Sequence, residues 1–328
     1  MAEFPLTAVR LRFECEALTP MQLGGLRAGS NLRGALVNVM RRATCSAYPN
    51  SALGAAPGAD PEHAKSCPVC WLVAANEHPG EERRGYALTP PRPQMAGGLR
   101  PGERFAFHLT LFGEAARALP YFVLAVPEAG RIGVGIGRGS FALKNITAEH
   151  PLFGQQAVLS EGENIVRPPQ EPIRHADVLG WANSRFSPQQ SEVHLQFLTP
   201  LRLVVQENLL KTPDFGAFFA LLLKRLDDLA LQHAGGQARP AEEREALWGL
   251  ANRVRLLENA THWEEVQSGS SRTGQKTWIS GLVGSARYSA PAEVWRELLP
   301  WLLWGELVQV GKDAVKGNGA FKMMNGEW

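Results

Sequence analysis

The chain has 328 residues, enough for two domains of ordinary size, and 45% of them are hydrophobic, enough to build real cores. No apolar run approaches the roughly 18 residues of a membrane span, and the Met-Ala-Glu-Phe-Pro start has neither a basic nor an apolar leader region, so a cytoplasmic protein is expected. A net charge of only +2 excludes a general affinity for polyanions and directs attention to where the charges sit.

In chain order, Val9 to Ala17 alternates, with Leu11, Phe13, Cys15 and Ala17 inward, and predicts a strand. Ser30-Asn31 reads as a helix cap, followed by an apolar face of Leu32, Ala35, Leu36, Val39, Met40 and Ala43. Residues 46–82 read as an irregular insertion. Strands are expected over 85–88 and 104–112, a helix over 114–126, and a strand over 140–146 after the glycine-rich run Gly133 to Gly139. That run is not a dinucleotide fingerprint, because Arg138 or Ser140 falls where the last glycine belongs. Residues 151–190, rich in Pro, Gly and Glu, read as a linker or hairpin.

The C-terminal stretch repeats the pattern. Strands are expected over 193–197 and 201–205, then a helix opened by Thr212-Pro213 and faced by Phe215, Phe218, Phe219, Leu222, Leu226 and Leu229. A second helix is expected with Leu247, Leu250, Val254 and Leu257 on one side. A short strand at 263–266 and a longer one over 276–289 follow; Gly281 and Gly284 in the latter suggest a bulge or a close backbone approach. A tryptophan-rich helix after Pro291 leads through Val310 to a glycine-rich loop, 311–319, and a last strand from Phe321. Both halves read β-α-β-β-α-β. The expected fold is α+β, two tandem ferredoxin-like domains, spanning 1–150 (with the insertion) and 191–328.

The loop Gly311-Lys312-Asp313-Ala314-Val315-Lys316-Gly317-Asn318-Gly319 suits an anionic backbone, since glycines let N–H groups approach a phosphate and lysines add charge. It also suits a tight helix-to-strand turn. A Walker loop is excluded: Glu306 stands where it needs glycine and Asp313 where it needs Ser or Thr. Basic strips accompany the loop. Residues 17–59 hold Arg27, Arg33, Arg41 and Arg42 without an acid; Arg131, Arg138 and Lys144 form a second strip, and Arg272, Lys276, Arg287 and Arg296 a third. The expected contacts with such an anionic backbone are Gly311, Lys312, Lys316, Gly317 and Gly319, with Arg272, Lys276, Arg33 and Arg138.

Cys67-Pro68-Val69-Cys70, with Cys45 at the end of the first helix and His63 four residues before Cys67, offers three thiolates and an imidazole. That is the donor set of a closed structural zinc site, with reduced free thiols as the alternative and a disulfide disfavoured in the cytoplasm.

Taken together, Asn31 to Leu36, Leu99 to Glu103, Leu109 to Gly113, Gly137 to Phe141, Leu198 to Leu203, Gly281 to Ser285 and the loop at 311–319 resemble the CRISPR-associated repeat-processing endoribonucleases of the RAMP superfamily. The resemblance covers nearly the whole chain. It implies a protein that binds the repeat of precursor CRISPR RNA and cuts it once without metal. Such a protein often stays on its product beside other effector subunits. The alternative within the same resemblance is a non-catalytic subunit that holds guide RNA in an effector complex. Metal-free cleavage uses the ribose 2′-hydroxyl and needs a base, an acid and a cation for the phosphorane. The family's active centre lies around the first helix and the segment after it, where Tyr48, His63, Lys65, His78, Arg83 and Arg84 fit. His78 is the expected acid or base, Arg83 or Arg84 the phosphorane cation, and Tyr48 a group that orients a hydroxyl. If His63 ligates metal, it is not the base.

Overall fold

The computed structural model describes residues 4–48, 61–73, 83–92, 98–237, 239–269 and 276–324. Strand β1 (Ala8–Ala17) pairs antiparallel with both β3 (Arg104–Phe112) and β4 (Phe141–His150); β2 (Tyr86–Thr89) and β5 (Gly154–Leu159) complete a sheet of order β2-β3-β1-β4-β5. A second sheet has the order β13-β6-β12-β9, from β6 (Glu192–Leu201), β9 (Arg255–Glu264), β12 (Gly281–Ser289) and β13 (Phe321–Met323), and a small hairpin of β7 (Leu203–Val205) and β8 (Asn208–Leu210) follows β6. Numbered within its own half, each sheet holds the order 4-1-3-2, the tandem ferredoxin-like arrangement. The first sheet adds β5 at one edge.

Alternation decides which faces are buried. Leu11, Phe13, Cys15 and Ala17 of β1 are all at most 1% exposed, and Phe13 stacks on Phe107 at 5.0 Å between ring centroids. Helices α1 (Ala28–Thr44) and α4 (Leu119–Ile132) cover that face. The second core lies under α6 (Phe215–His233) and α8 (Ala292–Val308), where Phe215, Phe218, Tyr288, Trp295 and Phe321 form one aromatic cluster. Ala8, Ala87 and Phe112 of the first sheet join this second core, so the two halves share a packed boundary.

Several boundaries differ from expectation for local reasons. Helix α1 begins at Ala28, on a 3-10 turn over Gly25–Arg27, and Asn31 does not cap it: its amide donates to Leu23 O at 2.8 Å. The cap of α6 is Asp214, whose carboxylate accepts from Ala217 N at 2.7 Å. Helix α7 (Ala241–Ala251) stops before Val254 and Leu257; that helical spacing is coincidental, because residues 255–264 are β9 and pair with β12. The strand expected over 276–289 is two. The hairpin β10 (Gln267–Gly269) and β11 (Lys276–Trp278) stands apart from β12, where Gly284 adopts φ 110 at a bulge. Between 151 and 190 lie β5 and helix α5 (His175–Arg185), which packs on α8. The described residues of the insertion include two short helices, α2 (Pro61–Ser66) and α3 (Pro68–Val73). Among the described residues no helix is long and apolar enough to cross a membrane.

Candidate nucleic-acid interface and metal centre

The chain leaving α8 crosses from one half of the molecule to the other. Gln309, fully buried, turns at φ 62, and its amide donates to Leu88 O at 2.9 Å and Thr89 Oγ1 at 3.0 Å on β2. Val315, in the 3-10 turn Ala314–Lys316, sits in the first core. Gly29 of α1 presses on the carbonyl of Lys316, where an added Cβ would lie 2.1 Å from the oxygen. Gly317 and Gly319 have φ 88 and 72, and a Cβ at either would meet Pro90 Cδ at 2.7 Å or Val310 O at 1.7 Å. The glycines therefore serve close packing of the loop on α1, on β2 and on itself.

That packing alters what the loop offers a ligand. The N–H groups of Gly317 and Gly319 donate to Ala314 O and Pro200 O, both at 3.0 Å, and both glycines are buried, so the phosphate grip expected of them is used up inside the protein. The outward-facing charge is Lys312, which is exposed, while Lys316 is paired with Asp313 at 2.8 Å. Gly311 is half-buried beside Arg202 O. Arg33, on α1, donates to Tyr86 OH at 3.3 Å. Arg138 is exposed at φ 54 in a turn bridged to Gln22 through Ile136. Lys276 opens β11, but its side chain, and Arg272 altogether, fall outside the described residues.

Of the expected catalytic groups, His78 lies outside the described residues. Tyr48, just past α1, donates to Asn38 Oδ1 at 2.5 Å. Arg83 is paired with Asp228 of α6 at 2.9 Å, and its N–H donates to Gln232 Oε1 at 2.6 Å. Arg84 donates to Val73 O, at the end of α3, at 2.7 Å. As they stand, both cations are engaged inside the protein rather than open to a phosphorane. Lys65 pairs with Glu62 at 3.0 Å.

Cys45, His63, Cys67 and Cys70 come together, their ligand atoms all within 4.8 Å of one another. The Cys45 thiol is 3.2 Å from His63 Nε2 and 3.6 Å from the Cys70 sulfur. A tetrahedral ion with bonds of about 2.3 Å to sulfur and 2.0–2.1 Å to nitrogen needs ligand separations of roughly 3.5–3.8 Å, so the cluster could hold a metal with little movement. The elements explain the convergence. Cys45 ends α1, its N–H on Arg41 O, and the Cys67 N–H donates to His63 O at 2.9 Å, folding the junction of α2 and α3 back onto it.

Two histidines are held neutral away from this seam. His175 is 4% exposed, stacked on Trp301, and its Nδ1 accepts from Trp304 Nε1 at 3.1 Å. Burial, then the charge of Arg239, push its pKa down to about 4. Burial and the Arg10 charge push His108 to about 4 as well, against its hydrogen bond to Glu149. Glu149 is raised by burial, but His108 and Arg10 outweigh that and bring it to about 2. An unfolded histidine protonates near 6.5 while these resist to about 4, so in that window the unfolded chain binds more protons and stability falls as pH falls. Each ring contributes at most about 3 kcal/mol. Melting temperature should therefore decline from pH 7 to pH 4.5, and His175→Phe should flatten the decline; a wild-type profile flat across that window would contradict the assignment.

Sequence reasoning missed Gln309, Gly29 and Asp228. A polar residue at a helix end and a glycine inside a helix carry no signal of what they will touch. Only the fold brings α6 to the insertion.

Two family models match the chain: an N-terminal-domain family, AF_1859_N, over residues 5–171, and the CRISPR-associated endoribonuclease Cas6 over residues 195–321. The chain belongs to the family of the first model, which covers 167 of its 328 residues, and its C-terminal part is of the type of the CRISPR-associated endoribonuclease Cas6. No curated protein sequence matches it. Among solved structures, Thermus thermophilus Cas6 is similar at TM-score 0.57 and 15% identity, over 97% of this chain and 99% of that one. A Cas6 product complex is similar at TM-score 0.56 and 17% identity, over 97% and 100%. A chain of a partial Cas6-RT-Cas1–Cas2 complex gives TM-score 0.57 at 11% identity, over 98% of this chain and 46% of its own length. At these identities the likeness to the Cas6 structures speaks for the fold.

Proposed function

We propose that the chain is a Cas6-type endoribonuclease that binds the repeat of precursor CRISPR RNA along the seam where α1 meets the loop 311–319. It cuts the repeat once, by metal-free attack of the 2′-hydroxyl, and stays on the product beside other effector subunits. The observation that carries the reading is that juxtaposition, in a chain matched by the Cas6 family. Lys312, Lys316, Arg33, Arg138, Arg272 and Lys276 contact phosphates; Gly311, Gly317 and Gly319 shape the loop that presents the lysines. His78 acts as acid or base, and Tyr48 orients a hydroxyl. Arg83 or Arg84 stabilises the phosphorane, a role that requires the guanidinium to leave Asp228 or Val73. The working units are 1–150 with its insertion 46–82, the connection 151–190, and 191–328. Zinc at Cys45, His63, Cys67 and Cys70 folds the insertion and takes no part in the chemistry; the thiolate-rich donor set is that of a structural site.

Repeat RNA bound across a salt series tests the loop. Lys312→Ala with Lys316→Ala should weaken affinity and lower the slope of log K against log salt by about 0.7 for each phosphate no longer neutralised. Unchanged affinity and slope would remove the loop from the interface. Tight binding by the wild type without any cut would point instead to a guide-RNA-holding subunit.

A further inference from the structure

We propose that the metal at Cys45, His63, Cys67 and Cys70 is a clasp between the two halves of the molecule, so that its occupancy sets how firmly α6 is held to the first half. The inference rests on the metal reading above and not on RNA cleavage.

The cluster sits at a corner where both halves meet. On its inner side, Val69, Leu72 and Val73 of α3 are at most 1% exposed in the first core. On its outer side, Trp71 meets the ring of His233, the last residue of α6, edge-on at 5.8 Å between centroids. His233 Nε2 is 2.7 Å from Arg83 O, while the Arg83 side chain reaches Asp228 one turn back on α6. Arg84 reaches the other way, to the C-terminal carbonyl of α3. Gly113 and Gly85 leave no room for a side chain against His233: an added Cβ would lie 1.9 Å from His233 O in the first case and 3.1 Å from the ring in the second. The end of α6 is thus gripped by α3 and by the segment entering β2.

Beyond the burial of Val69, Leu72 and Val73, nothing in α3 itself makes it a firm anchor. Helices α2 and α3 have six residues each, well short of the length at which a helix holds itself in water. A cross-link to Cys45 at the end of the 17-residue α1 supplies what they lack. The same link fixes the start of the insertion, since the Tyr48 N–H donates to Cys45 O at 3.1 Å.

The test is a thermodynamic cycle between the metal and a residue that does not touch it. Zinc content of the purified full chain is measured first. His233→Ala is then compared with wild type by thermal melting, in zinc-loaded protein and in the Cys70→Ser background. The clasp predicts about one zinc per chain, a fall in Tm of roughly 3–6 °C from His233→Ala in the loaded protein, and a markedly smaller fall without metal. If Cys70→Ser does not fold, wild type and His233→Ala stripped with a strong chelator give the same comparison. An equal His233→Ala effect with and without metal would overturn the clasp, as would protein that takes up no zinc from a zinc salt. Neither result touches the endoribonuclease reading, which stands or falls on RNA products.

Discussion

Alanine at Gly319 should destabilise the protein by roughly 4 kcal/mol, a large share of the about 5–15 kcal/mol that holds a domain folded. Two effects add. Gly319 adopts φ 72, a conformation that costs an L-residue about 1–2 kcal/mol. The new methyl would also lie 1.7 Å from Val310 O, a backbone atom that cannot swing aside. Relieving that clash separates the two ends of the loop, where Val310 N donates to Gly319 O at 3.1 Å and Gly319 N to Pro200 O at 3.0 Å. Gly34 is the control: on α1, with nothing within 4 Å of an added Cβ, its alanine variant should be neutral or gain up to about 1 kcal/mol. Denaturant melts of both variants check the pair. A Gly319→Ala protein of wild-type stability would mean that the loop does not close as described.

His78→Ala should lower the single-turnover cleavage rate by about 10²–10⁴-fold, the usual worth of a positioned acid or base, with RNA affinity nearly unchanged. The expectation rests on the family resemblance, and four of the other histidines are committed elsewhere. His63 is drawn into the cysteine cluster, His108 (half-buried) and His175 (buried) are held neutral by their surroundings, and His233 is enclosed by Arg83 and Trp71. His78 follows Cys70 by eight residues, in the segment after the first helix where the resemblance places the chemistry. An unchanged rate would move the acid–base role to another residue. A loss of binding in step with rate would make His78 a contact rather than a catalyst.

The strands of both sheets were legible because one face of each is buried, and Leu11, Phe13 and Cys15, or Val193, Leu195 and Phe197, write that face into the sequence. Strand β9 was not: most of its residues are exposed on both faces, so no alternation marks it, and Leu257 fell by chance into a helical spacing with Leu247. Helix caps were misread where tertiary contacts claimed the capping side chain, as Leu23 claims Asn31. The cysteines and His63 were readable because soft donors at short spacing have few other uses. The glycines of the loop were read for a ligand, whereas their buried N–H groups show them accommodating a helix and a strand of the other half. Gln309, which joins those halves, has no signature in sequence at all.

The most direct measurement is to incubate the purified chain with its own repeat RNA in excess EDTA and analyse the ends of the product. The account predicts one discrete cut that leaves a 2′,3′-cyclic phosphate and a 5′-hydroxyl. Cleavage that leaves a 5′-phosphate, or that disappears with EDTA and returns with magnesium but not with zinc, would contradict metal-free attack by the 2′-hydroxyl.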